Sequence, residues 1–198
     1  MDDFSTPGRP NGFGLEPSEA NFIKPGKRPL SSMSPTMIFR KSHSKPEGSF
    51  GKILLVLGAS GGPKIISAVV QVFLNHIILG MPLYQAIVRP RVHDQLIYHE
   101  SAVATVEKSK LETGQAVIVP NRTRAALRAR DHRLLEIDYM GTVRRLRIND
   151  RFLCLARANV DCFPVVIFFQ VQAVSCDLET HTLAASCDVR KGGSPAGY

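Results

Sequence analysis

Two adjacent serines, Ser31 and Ser32, lie in the stretch "KRPLSSMSPT", between two prolines and just after two basic residues. A proline fixes φ and has no N–H donor, so both flanks are stiff and neither can lie inside a helix. Two hypotheses explain such a pair. The stretch is either a turn and nothing more, or a place where the two hydroxyls receive an anion such as a substrate carboxylate.

The stretch "GASGG", residues 58–62, could also bind an anion. It follows the apolar run "KILLVL" and precedes Pro63, which predicts a strand, a glycine turn and a helix. Backbone N–H groups at such a turn converge and can bind an anion or a developing oxyanion. The alternative is a tight turn that only lets the helix pack on the sheet. A nucleotide P-loop is excluded, because Lys64 is followed by Ile65 and not by Ser or Thr.

Apolar residues recur at helical spacing after Pro63, and Gly80 followed by Pro82 ends the pattern. The sequence therefore predicts a buried strand over 52–57 and a buried helix behind the glycine turn. The residues that define this helical period are Ile65, Ile66, Val69, Val70, Phe73 and Ile77.

The remaining segments predict short strands and helices that belong to a layered α/β or α+β domain. Residues 40–49 read as the tip of a hairpin, and "RTRAALRARDH" (122–132) as a surface helix whose arginines face solvent. A short helix ends before Pro90. The other predicted strands are "LIYHE", "AVATVE", "AVIVP" and "RLLEIDY", and "VQAVSCD" and "HTLAASCD" predict a hairpin.

Composition limits the classes of function. The 198 residues are 44% apolar and carry a formal net charge of +8, which suits one globular domain but raises the question of an acidic partner. Trp is absent, Tyr occurs four times and the arginines form no single stripe, so nucleic acid is not expected as a partner. No motif implies a cofactor or a metal, since the four cysteines show no ligand spacing; they are isolated thiols or include one disulfide.

The opening residues "MDDFSTPGRP" are acidic and polar where a signal peptide has an apolar run, and the longest apolar runs, "ILLVL" and "FPVVIFF", are too short to span a bilayer. Residues 5–29 hold many Pro and Gly residues and little periodicity, which predicts a long loop.

Five ordered motifs resemble the small subunit of gamma-glutamyltransferase, also called glutathione hydrolase. They are "MDDFSTPG", "NFIKPGKRPLSSMSPT", "LGASGGPKI", "VRPRVHDQL" and "DVRKGGSPAGY", and the resemblance covers residues 1 to about 143 and 172–198. It implies an α+β fold, part of the four-layer αββα sandwich of N-terminal nucleophile hydrolases. In that family an N-terminal threonine attacks the gamma-glutamyl carbonyl of glutathione and other gamma-glutamyl compounds. Water, an amino acid or a dipeptide acceptor then resolves the acyl-enzyme.

The resemblance also implies roles for particular residues. Ser31 and Ser32 would bind the alpha-carboxylate of the gamma-glutamyl group, and Asp3 would accept from its alpha-ammonium. Gly61 and Gly62 would form the oxyanion hole, and residues 5–29 the lid over the pocket. The expected partner is the large subunit of the same precursor, and the expected location is the extracellular side of the plasma membrane or the secreted fraction.

Three departures from the family pattern qualify these expectations. The family's large subunit and nucleophilic threonine have no counterpart among the 198 residues, so this chain alone is expected to be inactive. Pro63 replaces a small polar residue next to the oxyanion turn. Residues 144–171 are an insert, either a lineage-specific loop or the product of a translated non-coding segment or gene-model error. The alternative function is a non-enzymatic remnant or regulator that binds gamma-glutamyl ligands or pairs with full-length subunits.

Overall fold

The computed structural model describes residues 4–11, 15–41, 50–96, 103–111, 114–137 and 170–191. The described part holds eight strands and three α-helices. The strands are β1 (Thr36–Lys41), β2 (Phe50–Ser60), β3 (Val92–Asp94), β4 (Val103–Lys110), β5 (Ala116–Ile118), β6 (Arg133–Ile137), β7 (Gln170–Cys176) and β8 (Leu183–Cys187). The helices are α1 (Ile65–Phe73), α2 (Leu83–Val88) and α3 (Asn121–Arg128).

The first sheet has the strand order β1-β2-β7-β8, and every neighbouring pair is antiparallel. Strand β2 lies in the middle, pairing Thr36 of β1 with Leu57 and Gln170 of β7 with Ser60. The predicted hairpins β1–β2 and β7–β8 are both confirmed by these ladders. Residues 42–49, which hold most of the predicted hairpin tip, lie outside the described residues.

The core lies on one face of this sheet, against α1 and α2. Leu55 and Leu57 of β2 are buried, whereas Ile53 is 43% exposed. The strand predicted over 52–57 is therefore confirmed, but only one of its faces is buried. Side chains alternate across a strand, and in the described part of the chain helices cover only one face of β2.

Helix α1 begins just after Pro63, as the sequence predicted. A 3-10 turn (Gly62–Lys64), in which Pro63 is the second residue, leads into the helix. The helix continues into a π-helical turn (Leu74–Ile78), and Gly80 follows with φ 65°. The predicted buried face is only partly right, because Ile66 and Val70 are 54% and 47% exposed. The face that packs on the sheet is formed by Ile65, Ala68, Val69 and Val72.

The second sheet has the order β3-β4-β5, with β6 added parallel to β4. The predicted strands β4, β5 and β6 and the helices α2 and α3 are confirmed. Strand β3 was missed, because three residues give too short a pattern to detect. Only Leu96 of the predicted strand "LIYHE" is described, and it lies outside any strand with φ 63°.

One arginine of α3 contradicts the expectation of a solvated basic face. Arg124 is 8% exposed, donates from Nε to Val119 O at 2.9 Å and forms an ion pair with Glu136 of β6. The other arginines of this helix, Arg122 and Arg128, are exposed. Arg124 differs because its side chain points toward β6, the strand on which α3 packs.

Most of the predicted insert falls on residues 138–169, which lie outside the described residues. Its last two residues are part of β7, where Val171 is fully buried and pairs with Ala59. Of the four cysteines, Cys176 and Cys187 are free, half-buried thiols, whereas Cys154 and Cys162 lie outside the described part.

Candidate functional site

Antiparallel pairing brings the predicted site segments to one end of the first sheet. The amino end of β1 and the carboxyl end of β2 meet there, since Thr36 pairs with Leu57. Ser31 and Ser32 precede β1, and Gly61 and Gly62 follow β2. The same end receives the start of β7 and the end of β8, because Gln172 pairs with Cys187.

The glycine turn adopts a backbone that other residues rarely adopt. Gly61 has φ 135° and Gly62 has φ 59°, both in the left-handed half of conformational space. The chain turns from β2 into the 3-10 turn at these two residues. Glycine is therefore favoured at both positions because of the backbone conformation. The successive N–H groups of such a turn are suited to binding an anion.

The two serines lie in an irregular segment before β1. Ser31 is exposed and its Oγ accepts a hydrogen bond from Met33 N at 3.1 Å, while the Ser34 hydroxyl donates to Ser32 O at 3.1 Å. These bonds form a local turn, as the first hypothesis predicts. They do not exclude the second, because a hydroxyl that accepts one bond keeps its own proton for donation.

The long loop before the serines is held together by its own polar groups. Ser5 is 2% exposed, donates from Oγ to Ser18 O and accepts from Ser18 N at 2.8 Å. Asn21 Oδ1 accepts from Leu30 N at 2.8 Å, and the Lys27 ammonium donates to Ala20 O and Phe22 O. Lys27, one of the two basic residues that precede the serines, thus binds carbonyls of its own loop. Asp3 lies outside the described residues.

Lys64 is buried directly behind the glycine turn. It ends the 3-10 turn and is 7% exposed, so burial lowers the pKa of its amine to about 8. Pro63, the departure noted in the sequence, is also buried and is the second residue of the turn, which it does not interrupt. The family pattern gave no role to Lys64.

A buried cluster of four charged residues lies near the end of β8 and was missed by the sequence reasoning. It consists of Arg91, Glu107, Asp188 and Arg190, each no more than 5% exposed. Arg190 binds both oxygens of Glu107, at 2.5 and 2.8 Å, and Asp188 Oδ1 at 2.9 Å. Arg91 Nη2 donates to Asp188 Oδ2 at 2.7 Å. We call this set the arginine–carboxylate cluster.

The cluster joins parts of the chain that are about a hundred residues apart. Arg190 also donates to the carbonyls of Ile87, Val88 and Arg89 at the end of α2, and Asp188 Oδ2 accepts from Val171 N at 3.2 Å. Burial alone would raise the pKa of Asp188, but the charges of Arg91 and Arg190 hold that pKa below its usual range. Two positive and two negative charges balance, which is what a buried ionic group requires.

Within the described ranges, no group of three or more His, Cys, Asp or Glu residues could hold a metal ion. None of the helices in those ranges has the length and the apolar character that crossing a bilayer requires.

Comparison with known proteins agrees with the motifs. The Gamma-glutamyltranspeptidase family profile matches residues 1–161. The chain is similar to Glutathione hydrolase 2 of Arabidopsis thaliana, with 34% identity over 203 residues, covering 100% of this chain and 28% of that protein. It is also similar to the Glutathione hydrolase proenzyme of Arthroderma benhamiae, with 50% identity over 97 residues, covering 49% of this chain and 15% of that protein.

A solved structure of similar fold is that of a mutant gamma-glutamyltranspeptidase from Helicobacter pylori. The TM-score is 0.65 and the identity 28%, covering 96% of this chain and 78% of that chain. The α+β fold described above is therefore part of an N-terminal nucleophile hydrolase sandwich. The chain spans 15% and 28% of the lengths of the two curated relatives. Because the family profile matches well over half of its residues, the chain belongs to the gamma-glutamyltranspeptidase family.

Proposed function

We propose that this chain supplies the substrate-binding and oxyanion-binding part of an enzyme that hydrolyses glutathione and other gamma-glutamyl compounds, or transfers their gamma-glutamyl group. Ser31 and Ser32 bind the alpha-carboxylate, and Asp3 accepts from the alpha-ammonium. Gly61 and Gly62 donate to the oxyanion of the tetrahedral intermediate. A charged group bound at each end of a zwitterion fixes the position of the carbonyl between them and the nucleophile.

The pairing of β1 with β2 is the observation that carries this proposal. Thr36 lies opposite Leu57, so the segment with Ser31 and Ser32, which precedes β1, starts at the same end of the sheet at which Gly61 and Gly62 follow β2. The carboxylate and the scissile carbonyl of a gamma-glutamyl group are separated by only three carbons, so the segments that bind them must lie at one end of the sheet. The left-handed φ values of Gly61 and Gly62 support the oxyanion role, since they turn the backbone at this point.

The reaction also needs groups that are not among these 198 residues. The nucleophile is an N-terminal threonine that uses its own amine as base, and the described threonines are internal. In this proposal the large subunit of the same precursor and the threonine complete the site. An amino acid or dipeptide accepts the gamma-glutamyl group, and residues 5–29 cover the pocket. The location proposed is the extracellular side of the plasma membrane or the secreted fraction.

A joined precursor tests the proposal. The whole 198-residue chain is fused at Met1 to the large subunit and threonine-bearing segment of a glutathione hydrolase relative; we call this fusion the joined precursor. We expect it to cleave itself and to hydrolyse gamma-glutamyl-p-nitroanilide, whereas the 198-residue chain alone does neither. A joined precursor that folds but remains uncleaved and inactive would contradict the proposal. If the chain alone then bound a gamma-glutamyl ligand, the non-enzymatic alternative would stand.

A further inference from the structure

A half-buried serine and a buried histidine form a pair behind the glycine turn, and this pair has no part in the proposed reaction. Ser67 Oγ in α1 is 2.8 Å from His93 Nδ1 in β3. His93 is 7% exposed, and burial lowers the pKa of its imidazole, so the ring is neutral at pH 7. Gln95 Oε1 lies 2.9 Å from Nε2, on the other side of the ring.

Ser67 connects this histidine to the glycine turn. Its hydroxyl donates to Lys64 O at 3.0 Å, and Lys64 is the last residue of the 3-10 turn that begins at Gly62. A serine hydroxyl has one proton. An amide oxygen only accepts, so Nε2 of His93 donates to Gln95 Oε1, and Nδ1 of the neutral ring is left as an acceptor. The single Ser67 proton is therefore shared between Lys64 O at 3.0 Å and His93 Nδ1 at 2.8 Å. Ser67 thus ties the end of the turn to β3.

A second side chain holds α1 to the same strand. Gln71 lies one helical turn after Ser67, and its Nε2 donates to Val92 O at 2.8 Å while its Oε1 accepts from Val92 N at 2.9 Å. Strand β3 is in turn fixed to β4, where Thr105 Oγ1 donates to His93 O at 3.0 Å. The turn is therefore fastened through Ser67 and His93 to the second sheet.

We propose that Ser67 and His93 are positioning residues that fix the backbone N–H groups of Gly61 and Gly62. This inference rests on the proposed function, because it assigns a reason for holding the turn. Neither side chain would touch the substrate. They would act by orienting the backbone N–H donors of the glycine turn. A small misplacement of oxyanion donors lowers the rate of the chemical step more than the affinity for substrate.

Hydrogen exchange in the 198-residue chain tests the positioning without any need for activity. We expect Ser67→Ala to accelerate exchange of the Gly61, Gly62 and Lys64 amides about tenfold, the effect of losing one net hydrogen bond. Ser67→Thr keeps a hydroxyl that can reach the same carbonyl, so it should restore parent rates. The matched control is Ser109→Ala: Ser109 is 6% exposed and donates to Glu107 Oε1 at 3.0 Å, away from the turn. Equal exchange at the turn in Ser67→Ala and Ser109→Ala would overturn the inference.

Kinetics of the joined precursor give a second readout. We expect Ser67→Ala to lower kcat about tenfold with KM nearly unchanged, since oxyanion donors act in the transition state. Ser67→Thr and Ser109→Ala should keep the parent kcat. Faster exchange at the turn with an unchanged kcat would also overturn the inference. An inactive joined precursor would count against the proposed function alone, because the exchange rates would still decide whether Ser67 holds the turn.

Discussion

In the joined precursor, Gly62→Ala is expected to lower kcat for gamma-glutamyl-p-nitroanilide about 100-fold while KM changes little. Gly62 has φ 59°, and an alanine there costs about 1–2 kcal/mol of strain that the chain can relieve by rotating the backbone. That rotation turns the N–H groups of the glycine turn away from the oxyanion. Loss of one oxyanion donor typically lowers kcat by about 10²–10³. Steady-state kinetics of the matured enzyme measure the effect.

The matched control for this variant is Gly80→Ala. Gly80 has φ 65°, close to the φ of Gly62, and no heavy atom lies within 4 Å of an added Cβ. It follows the π-helical turn and lies outside the proposed site. It should therefore lower the free energy of unfolding by a similar amount and leave kcat unchanged. Equal losses of kcat in the two variants would show that strain alone is responsible and that Gly62 has no oxyanion role.

The second large effect concerns stability. Arg190→Met should lower the free energy of unfolding of the 198-residue chain by about 3–5 kcal/mol, because it leaves the carboxylate of Glu107 buried without its main partner. Glu107 is fully buried, and Arg190 supplies two of its hydrogen bonds. Denaturant unfolding followed by circular dichroism measures the change.

Two further variants separate the cluster from ordinary ion pairs. Lys108→Met breaks a pair with Glu136 whose side chains are 55% and 41% exposed, and it should leave the unfolding curve nearly unchanged. The double variant Arg190→Met/Glu107→Gln should lower the free energy of unfolding by less than the sum of the two single variants. The reason is that it no longer buries an unpaired carboxylate at position 107. If Arg190→Met were no more destabilising than Lys108→Met, the arginine–carboxylate cluster would not stabilise the packing of the segment after β8 on α2 and β4.

The sign of the pH dependence follows from Asp188. Its pKa is held below the usual range in the folded chain, so its pairing stabilises the fold at pH values above the unfolded pKa, near 4. This stabilisation is lost as pH falls through the folded pKa.

The sequence predicted the elements around the site because local signals define them. A proline after glycines marks the start of α1, and alternation in "VQAVSCD" marks β7. The exposed sides of α1 and β2 were not predicted. Ile66 and Val70 fit the helical period as well as Val69 does, and only the packing of α1 on β2 and β7 decides which face is buried.

The arginine–carboxylate cluster could not be predicted for a different reason. Arg91 and Arg190 are separated by 99 positions, and their contacts depend on the positions of α2, β4 and the end of β8. Local signals were available, since Glu107 ends the apolar run "AVATVE", and Arg91, Asp188 and Arg190 lie in the motifs "VRPRVHDQL" and "DVRKGGSPAGY". A carboxylate at the end of a buried strand requires a cation, but the sequence gives several candidate arginines. The contact between Ser67 and His93 could not be predicted for the same reason, since the two residues are 26 positions apart in the sequence.

The most direct test of the central claim compares three p-nitroanilide substrates of the joined precursor. The gamma-glutamyl compound has both charged groups, the 4-aminobutanoyl compound lacks the alpha-carboxylate and the glutaryl compound lacks the alpha-ammonium. The measured quantity is kcat/KM for each substrate with the parent, with the Ser31→Ala/Ser32→Ala variant and with Asp3→Ala. Charge-assisted bonds of about 1.5–3 kcal/mol correspond to roughly one to two decades.

We predict that the parent loses about 10- to 100-fold in kcat/KM when the carboxylate is removed from the substrate. The Ser31→Ala/Ser32→Ala variant should hydrolyse the gamma-glutamyl and 4-aminobutanoyl compounds at similar rates, yet still discriminate against the glutaryl compound. Asp3→Ala should show the reverse pattern. If the double-serine variant kept the parent's preference for the carboxylate, the serines would only form the turn seen at Met33 N, and the substrate-binding role proposed for them would be wrong.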